Sequence, residues 1–120
     1  MNRANLQLIY VSDVKRSTDF YKMIFQEDPQ FTSPRYVTFS AGSEATFAIW
    51  SGGGVPDISA RRFSEIGIML DTDDEVESLY NEWIQNRNIK FAKELYSEVF
   101  GQTFLVEDPD GHIIRVCSKD

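Results

Sequence analysis

The stretch Phe104-Leu-Val-Glu-Asp-Pro-Asp-Gly-His-Ile-Ile-Arg-Val-Cys117 predicts two β-strands joined by a tight turn. Asp108-Pro-Asp-Gly111 has the chemistry of a turn, because proline fixes one φ angle, glycine tolerates positive φ and aspartate side chains bond nearby amides. Apolar β-formers flank the turn on both sides. Side chains alternate along a strand, so Arg115 shares a face with Ile113 and Cys117. A charged residue inside a mostly apolar strand is the first indication of a cavity.

The composition is that of one globular domain. The chain has 120 residues, 42% of them apolar, which is enough for one core but not for two independent ones. A net charge of −7 disfavours nonspecific nucleic-acid binding, which needs a basic surface. A single cysteine excludes an internal disulfide, no apolar run is long enough for a membrane span, and the N-terminus lacks a signal-peptide pattern. We therefore expect a cytoplasmic protein without nucleic-acid or membrane partners.

The first half of the chain reads as a strand, a helix and further strands. Residues 6–11 predict a strand, after which Ser12 or Asp13 caps a helix with one apolar face. Residues 35–40 and 46–50 predict two strands joined by a hairpin loop.

The second half repeats this order. Its strands are predicted at 65–70, 89–96, 102–107 and 112–117, and its helix begins at the capping-box pattern of Thr72 and Glu75. A shift of sixty positions aligns Leu6 with Ile66 and Phe20 with Tyr80, which indicates an internal duplication. One helix cannot cover both faces of a four-stranded sheet, so the other face must bury against a second sheet or a ligand.

Two motifs of the duplicated unit resemble the glyoxalase/bleomycin-resistance/extradiol-dioxygenase superfamily, whose members are also called vicinal oxygen chelate proteins. They are Val11-Ser-Asp-Val-Lys-Arg-Ser-Thr-Asp-Phe-Tyr21, at the first strand-to-helix junction, and Glu107-Asp-Pro-Asp-Gly-His112. The resemblance implies an α+β fold in which two paired βαβββ modules, about 1–58 and 59–120, form a curved mixed sheet with a cleft in a single domain, 1–120. It also implies a homodimer, a state in which members of the superfamily often exchange modules between chains.

Five further segments resemble the members of this superfamily that give resistance to phenazine antibiotics. They are residues 5–11, 34–37, 47–53, 62–70 and 100–104. This closer resemblance implies that the chain binds a planar aromatic antibiotic of the phenazine type, without a metal and without changing the drug chemically.

The metal-binding pattern of the superfamily's enzymes falls here on Leu6, Ala48, Glu65 and Arg115. Leucine and alanine cannot ligate a metal, and arginine offers only hydrogen-bond donors. A metal-dependent lyase or dioxygenase is therefore not expected, and no cofactor or metal is predicted. If these positions face one cleft, Glu65 and Arg115 approach each other and offset the cost of desolvating both charges. The pair is then either purely structural or a source of hydrogen bonds to a ligand.

Alternation along the strands adds neighbours to the candidate site. Ala48 and Gly67 are small and leave space, whereas Tyr10 and Trp50 offer flat aromatic surface to a planar ligand. The glycine-rich segment that follows Trp50 is a connector or a lid. The predicted ligand-binding residues are Tyr10, Ala48, Trp50, Ser51, Gly52, Glu65, Gly67, Tyr96, Phe100 and Arg115; no catalytic residue is predicted.

Other functions leave less trace in the sequence. There is no Gly-x-Ser-x-Gly elbow and no phosphate-binding Gly-Lys-Ser/Thr loop, and Cys117 has no histidine partner that the sequence identifies. A non-catalytic protein that sequesters its ligand is therefore the leading interpretation. The alternative is an enzyme of the same fold that modifies a small aromatic or keto compound with Glu65 as base. A module that delivers a bound ligand to another protein is a third hypothesis.

Overall fold

A computed structural model divides the chain into two compact units, Met1–Asp57 and Ile58–Asp120, and describes residues 1–119. Each unit contains one helix and one mixed four-stranded sheet. The predicted α+β class with two βαβββ modules is confirmed. The division lies one residue from the predicted module boundary, and the organisation as a single domain stays a prediction. No helix among the described residues is long and apolar enough to cross a membrane.

The first unit builds its sheet in the order β1-β4-β3-β2. Its elements are β1 (Leu6–Tyr10), α1 (Val14–Phe25), β2 (Phe31–Thr32), β3 (Tyr36–Ser40) and β4 (Thr46–Trp50). β1 runs parallel to β4, and the other neighbours are antiparallel. A parallel neighbour requires a crossover, and the chain crosses from β1 through α1 to β2 at the far edge before it returns through β3 to β4.

Asp13 is the N-cap of α1, and its carboxylate accepts a hydrogen bond from the amide of Arg16 at 3.1 Å. This decides between the two N-cap residues that the sequence left open. Tyr21 lies in the interior with its ring 4.9 Å from that of Phe47, and Phe25 lies 5.5 Å from Phe39. The aromatic side of the helix therefore covers the face of the sheet that carries Phe39 and Phe47.

The second unit has the same topology, with the order β5-β8-β7-β6. Its elements are β5 (Glu65–Leu70), α2 (Asp73–Trp83), β6 (Lys90–Glu98), β7 (Gly101–Glu107) and β8 (Ile113–Ser118). Thr72 is the N-cap of α2 and accepts the amide of Glu75 at 3.2 Å, as the capping-box pattern predicts. Trp83 and Tyr80 of α2 place their rings 5.7 and 5.4 Å from that of Phe104.

The structure corrects the register of the internal repeat by one residue. The N-caps Asp13 and Thr72 and the buried helix residues Ile24 and Trp83 are each 59 positions apart, not sixty. In the strands, a shift of sixty would align Leu6, which lies on the side away from its helix, with the buried Ile66. Because side chains alternate with period two, a slip of one residue exchanges the two faces of a strand.

The turn between β7 and β8 is built as its sequence predicts. The buried carboxylate of Asp108 accepts the amides of Asp110 and His112, each at 2.8 Å. Gly111 has φ +85°, a conformation that glycine adopts without steric cost. These bonds fix the direction in which β8 leaves the turn, and hence the position of Arg115.

Candidate functional site

Each sheet has one face that its own helix covers and one that it does not, which we call the helix-free face. In the first unit, β1 and β4 present their predicted site residues there, because Leu8 is paired with Ala48 and Tyr10 with Trp50. In the second unit the helix-free face carries Glu65, Gly67, Arg115 and Tyr96. Five of the ten predicted binding residues belong to each unit.

The aromatic part of the first unit is the pair Tyr10 and Trp50. Their rings are 5.4 Å apart and nearly perpendicular, with an interplanar angle of 82°. Tyr10 keeps 44% of its surface exposed, so it offers flat apolar area to a partner or ligand.

Glycines of the segment after Trp50 lie directly against these two rings. A Cβ atom on Gly52 would overlap the Trp50 indole, and one on Gly53 would lie 2.8 Å from the Tyr10 ring. The segment is thus held close to the aromatic pair, and a side chain on Gly52 or Gly53 would displace one of the two rings. The amide of Ser51 donates to the Arg35 carbonyl at 2.9 Å, so this amide is already bonded within the unit. Ligand contact by Ser51 and Gly52 stays a prediction.

Ala48 differs from its expected role as a small residue that leaves space. It is completely buried in the centre of β4, with 0% of its surface exposed. Alternation along the strand correctly placed Ala48 on the helix-free face, but it says nothing about what covers a position. The prediction of open space above Ala48 is therefore wrong.

The charged centre of the second unit is a two-pronged ion pair. Nε of Arg115 donates to Oε1 of Glu65 at 2.7 Å, and Nη2 donates to Oε2 at 3.0 Å. The approach of these two residues, predicted from the superfamily pattern, is confirmed. The planar guanidinium matches the carboxylate edge to edge, which is the strongest geometry for such a pair.

Two hydroxyl groups complete the setting of Arg115. Its Nη1 donates to the phenol oxygen of Tyr96 and to Oγ1 of Thr103, both at 3.1 Å. The guanidinium carbon lies over the Phe100 ring, 5.9 Å from its centroid. Four of the five N–H groups of Arg115 are thus bonded within the unit. The edge of the guanidinium is largely occupied, which argues against its predicted role as a hydrogen-bond donor to a ligand and leaves its flat face as the usable surface.

The pair fixes the charge states of its members. Hydrogen bonds from Arg115 lower the pKa of Glu65 below its ordinary 4.5, against the opposing effect of burial. The bonds to Glu65 raise the pKa of Arg115. Burial raises the pKa of the Cys117 thiol on the same face, so it stays protonated near neutral pH. Neither a strongly paired carboxylate nor a protonated thiol is suited to act as a base or nucleophile.

Gly67 provides the open space that Ala48 does not. It is exposed in the middle of β5, beside Arg115 in the sheet register, and a Cβ atom there would meet no atom within 4 Å. Met69, two residues along the same face, keeps 64% of its surface exposed. The helix-free face of the second sheet thus offers an unfilled surface next to the flat guanidinium.

Two residues of the second unit's helix-free face were not predicted from the sequence. Thr103 is fully buried and holds Arg115, and alternation in β7 identifies it once the pairing of β7 with β8 is known. Lys93 joins the face through irregularities of β6 and places its ammonium 3.8 Å from the Tyr96 ring centre. No signal in the sequence indicated these irregularities.

The residues at the superfamily's metal positions do not fit a metal ion. Arg115 presents donors and a permanent positive charge, and it occupies both carboxylate oxygens of Glu65. Leu6 and Ala48 carry no ligating atom. Within residues 1–119, no group of three or more His, Cys, Asp or Glu side chains is arranged to hold a metal ion.

Comparison with known proteins places this geometry in a family. The profile of the glyoxalase-like domain matches residues 4–119. The chain belongs to the glyoxalase-like domain family. It is 58% identical over 118 residues to the phenazine antibiotic resistance protein EhpR of Enterobacter agglomerans, an alignment that covers 97% of this chain and 92% of EhpR.

Solved structures support the same fold. The solution structure of protein ATC0852 from Agrobacterium tumefaciens has a TM-score of 0.82 and 23% identity, covering 100% of this chain and 99% of that one. The crystal structure of a glyoxalase-related enzyme from Fulvimarina pelagi has a TM-score of 0.80 and 19% identity, covering 99% and 89%. At such identities the likeness shows the fold of the glyoxalase-like family, and function must be argued from the site.

Proposed function

We propose that this glyoxalase-like protein gives resistance to a planar aromatic antibiotic of the phenazine type by binding it and leaving it chemically intact. The identity of 58% to a phenazine antibiotic resistance protein supports the ligand class. One observation carries the mechanism: the Glu65–Arg115 pair, held by Tyr96 and Thr103, stands at positions of the superfamily's metal pattern. A flat, pre-positioned guanidinium suits stacking against an aromatic ring.

The same pair weighs against the alternative of an enzyme that uses Glu65 as base. Both oxygens of Glu65 accept hydrogen bonds from Arg115, and its pKa is lowered. A general base works best with a pKa near the working pH. Binding without turnover needs no such group, and protection then follows from mass action, with one protein required for each drug molecule.

Calorimetry followed by mass spectrometry tests this proposal. Phenazine-1-carboxylic acid is titrated into the chelator-treated protein. After prolonged incubation, the molecular mass of the recovered ligand is measured. We expect saturable 1:1 binding per chain with a dissociation constant of about 1 μM or below, and a ligand of unchanged mass. A changed mass would support the enzyme alternative, and no heat at high micromolar ligand would overturn the proposal.

We further propose that the protein works as a homodimer, as the family resemblance implies. Leu6, Tyr10 and Phe31 of the first unit's helix-free face keep 52%, 44% and 54% of their surfaces exposed. Exposed apolar side chains on one sheet face are typical of a surface that another chain or a ligand covers. Light scattering coupled to size exclusion measures the mass, and a monomer at micromolar concentration would contradict the dimer. Exchange of modules and a cytoplasmic location stay predictions.

A further inference from the structure

Lys93 is the one lysine that makes no ion pair within residues 1–119. Each of the other four has its ammonium 2.9 to 3.7 Å from a carboxylate oxygen, in the pairs Lys15–Asp19, Lys22–Asp28, Lys90–Glu107 and Lys119–Asp71. The neighbouring carboxylate of Glu94 accepts a hydrogen bond from Tyr80, of helix α2. The ammonium of Lys93 is thus available to an anionic group of a ligand on the helix-free face of the second sheet.

Two irregularities of β6 bring Lys93 to that surface. The pairing of β6 with β7 shifts between Phe91 and Lys93 and again between Lys93 and Tyr96. In a regular strand, Lys93 would share the helix-covered face with Phe91, and Tyr96 would lie on the side opposite to Lys93. The shifts instead set Lys93 opposite Leu105 and Tyr96 opposite Thr103, both on the helix-free face. Bulges of this kind re-aim side chains, often next to functional sites.

The sheet register then defines a row of four residues across the second unit. Lys93 is paired with Leu105, Leu105 with Arg115, and Arg115 with Gly67. Neighbouring strands are about 4.8 Å apart, so the backbones of Lys93 and Arg115 are separated by about 10 Å with one apolar residue between them. The row offers, in order, a free cation, an apolar step, a flat guanidinium and open space.

The other two cations that β6, β7 and β8 place on this face are neutralised in pairs. Arg115 is bonded to Glu65, and Lys90 lies 3.7 Å from Glu107. The ammonium of Lys93 lies over the ring of Tyr96, whose phenol in turn accepts a bond from Arg115. This contact positions the lysine without cancelling its charge.

We infer that Lys93 is a specificity-determining residue that selects planar ligands carrying an anionic substituent, such as a carboxylate, at the β6 edge of the site. The inference rests on the proposed function and names the chemical class of its ligand. A fused three-ring system lying on Leu105 and Arg115 reaches from the guanidinium to the ammonium of Lys93. A carboxylate at the end of this ring system can then pair with the Lys93 ammonium without breaking an existing ion pair.

Matched ligands test this assignment. Binding of phenazine-1-carboxylate is compared with that of neutral phenazine-1-carboxamide by calorimetry at pH 8 and low salt. We expect the intact protein to bind the carboxylate about tenfold more tightly, a preference that weakens as salt is added. In Lys93→Gln the two dissociation constants become equal within about twofold, while that of the carboxamide is unchanged. Lys93→Arg restores the preference, and Lys119→Gln, which removes a paired lysine of the same unit, retains it.

The outcomes separate this inference from the function on which it rests. Equal affinity of the intact protein for both ligands, or a preference that survives in Lys93→Gln, overturns the role of Lys93 and leaves phenazine binding in place. If the intact protein binds neither ligand, the proposed function and this inference are both overturned. Retained binding of the carboxamide also shows that the Lys93 variant is folded.

Discussion

Arg115 and Glu65 share two hydrogen bonds, Nε to Oε1 at 2.7 Å and Nη2 to Oε2 at 3.0 Å, in neighbouring parallel strands of one sheet. Their side chains keep 22% and 39% of their surfaces exposed, respectively. Water therefore reaches part of the pair, which weakens its contribution relative to a fully buried one. The pair nevertheless sets both the shape and the charge of the surface around Gly67.

Removal of one partner should cost stability because the other is left uncompensated. We expect Arg115→Met to lower the free energy of unfolding by about 1–2 kcal/mol, since Tyr96 and Thr103 lose a donor as well as Glu65. Urea denaturation at pH 7 measures the effect. The double variant with Glu65→Gln should be less destabilised than the sum of the single variants, by about 1 kcal/mol. Strict additivity would show that the two residues are not coupled.

The lowered pKa of Glu65 makes this contribution depend on pH. A carboxyl whose pKa is lower in the folded than in the unfolded protein stabilises the fold above the unfolded value. That stability is lost as the pH falls from about the ordinary value of 4.5 through the folded pKa. We expect the stability difference between the intact protein and Glu65→Gln to be constant from pH 8 to 6 and to shrink below pH 4.5. A difference that does not change on acidification would contradict the pairing.

The fold could be predicted from the sequence because its signals are local and mutually consistent. The strands β4 and β5 begin and end where the alternating apolar pattern predicts, and Thr72 caps α2 as its capping box indicates. β2 was not assigned separately, because two residues at a sheet edge carry no periodic signal. The repeat register was off by one residue, because apolar residues on opposite faces of a strand look alike in sequence.

The candidate site could be predicted only in part. The Glu65–Arg115 contact followed from the positions of both residues in the superfamily pattern, and it is present. The burial of Ala48 and the recruitment of Lys93 depend on long-range packing and on strand irregularities. Neither is encoded in the period-two alternation from which the neighbours of the site were assigned.

The Ser17 hydroxyl should be dispensable, because it is buried in α1 with no hydrogen-bond partner among the described residues. An unsatisfied buried hydroxyl costs free energy that an alanine at the same place avoids, and alanine also favours the helix. We expect Ser17→Ala to raise the free energy of unfolding by about 1 kcal/mol. The control is Thr18→Ala at the next position, whose hydroxyl donates to the Val14 carbonyl at 2.6 Å. Thermal denaturation compares them, and a destabilised Ser17→Ala would reveal a missing partner.

The glycine segment should tolerate a methyl group at one position and not at the one before it. A Cβ on Gly53 would lie 2.8 Å from the Tyr10 ring, whereas one on Gly54 would lie 3.9 Å from it, an ordinary contact. Gly53→Ala should therefore displace Tyr10 and alter the near-ultraviolet circular dichroism of the Tyr10–Trp50 pair. Gly54→Ala should leave that spectrum unchanged. Identical spectra for the two variants would show that the segment does not lie against the ring.

We expect Gly67 to lower the stability of the fold while leaving room for a ligand. A strand interior disfavours glycine, and a Cβ atom at this position would meet no atom within 4 Å. We expect Gly67→Val to raise the free energy of unfolding by about 0.5–1 kcal/mol, since valine suits a strand and its Cβ atom would meet no atom within 4 Å. The same methyl groups would occupy the surface beside Arg115 and weaken phenazine binding by about tenfold or more. Gly67→Ala, with a smaller side chain, should lie between the two in affinity. Calorimetry with phenazine-1-carboxylate measures the affinity of each variant. Undiminished affinity in the stabilised Gly67→Val protein would show that the ligand does not bind at this face of the second sheet.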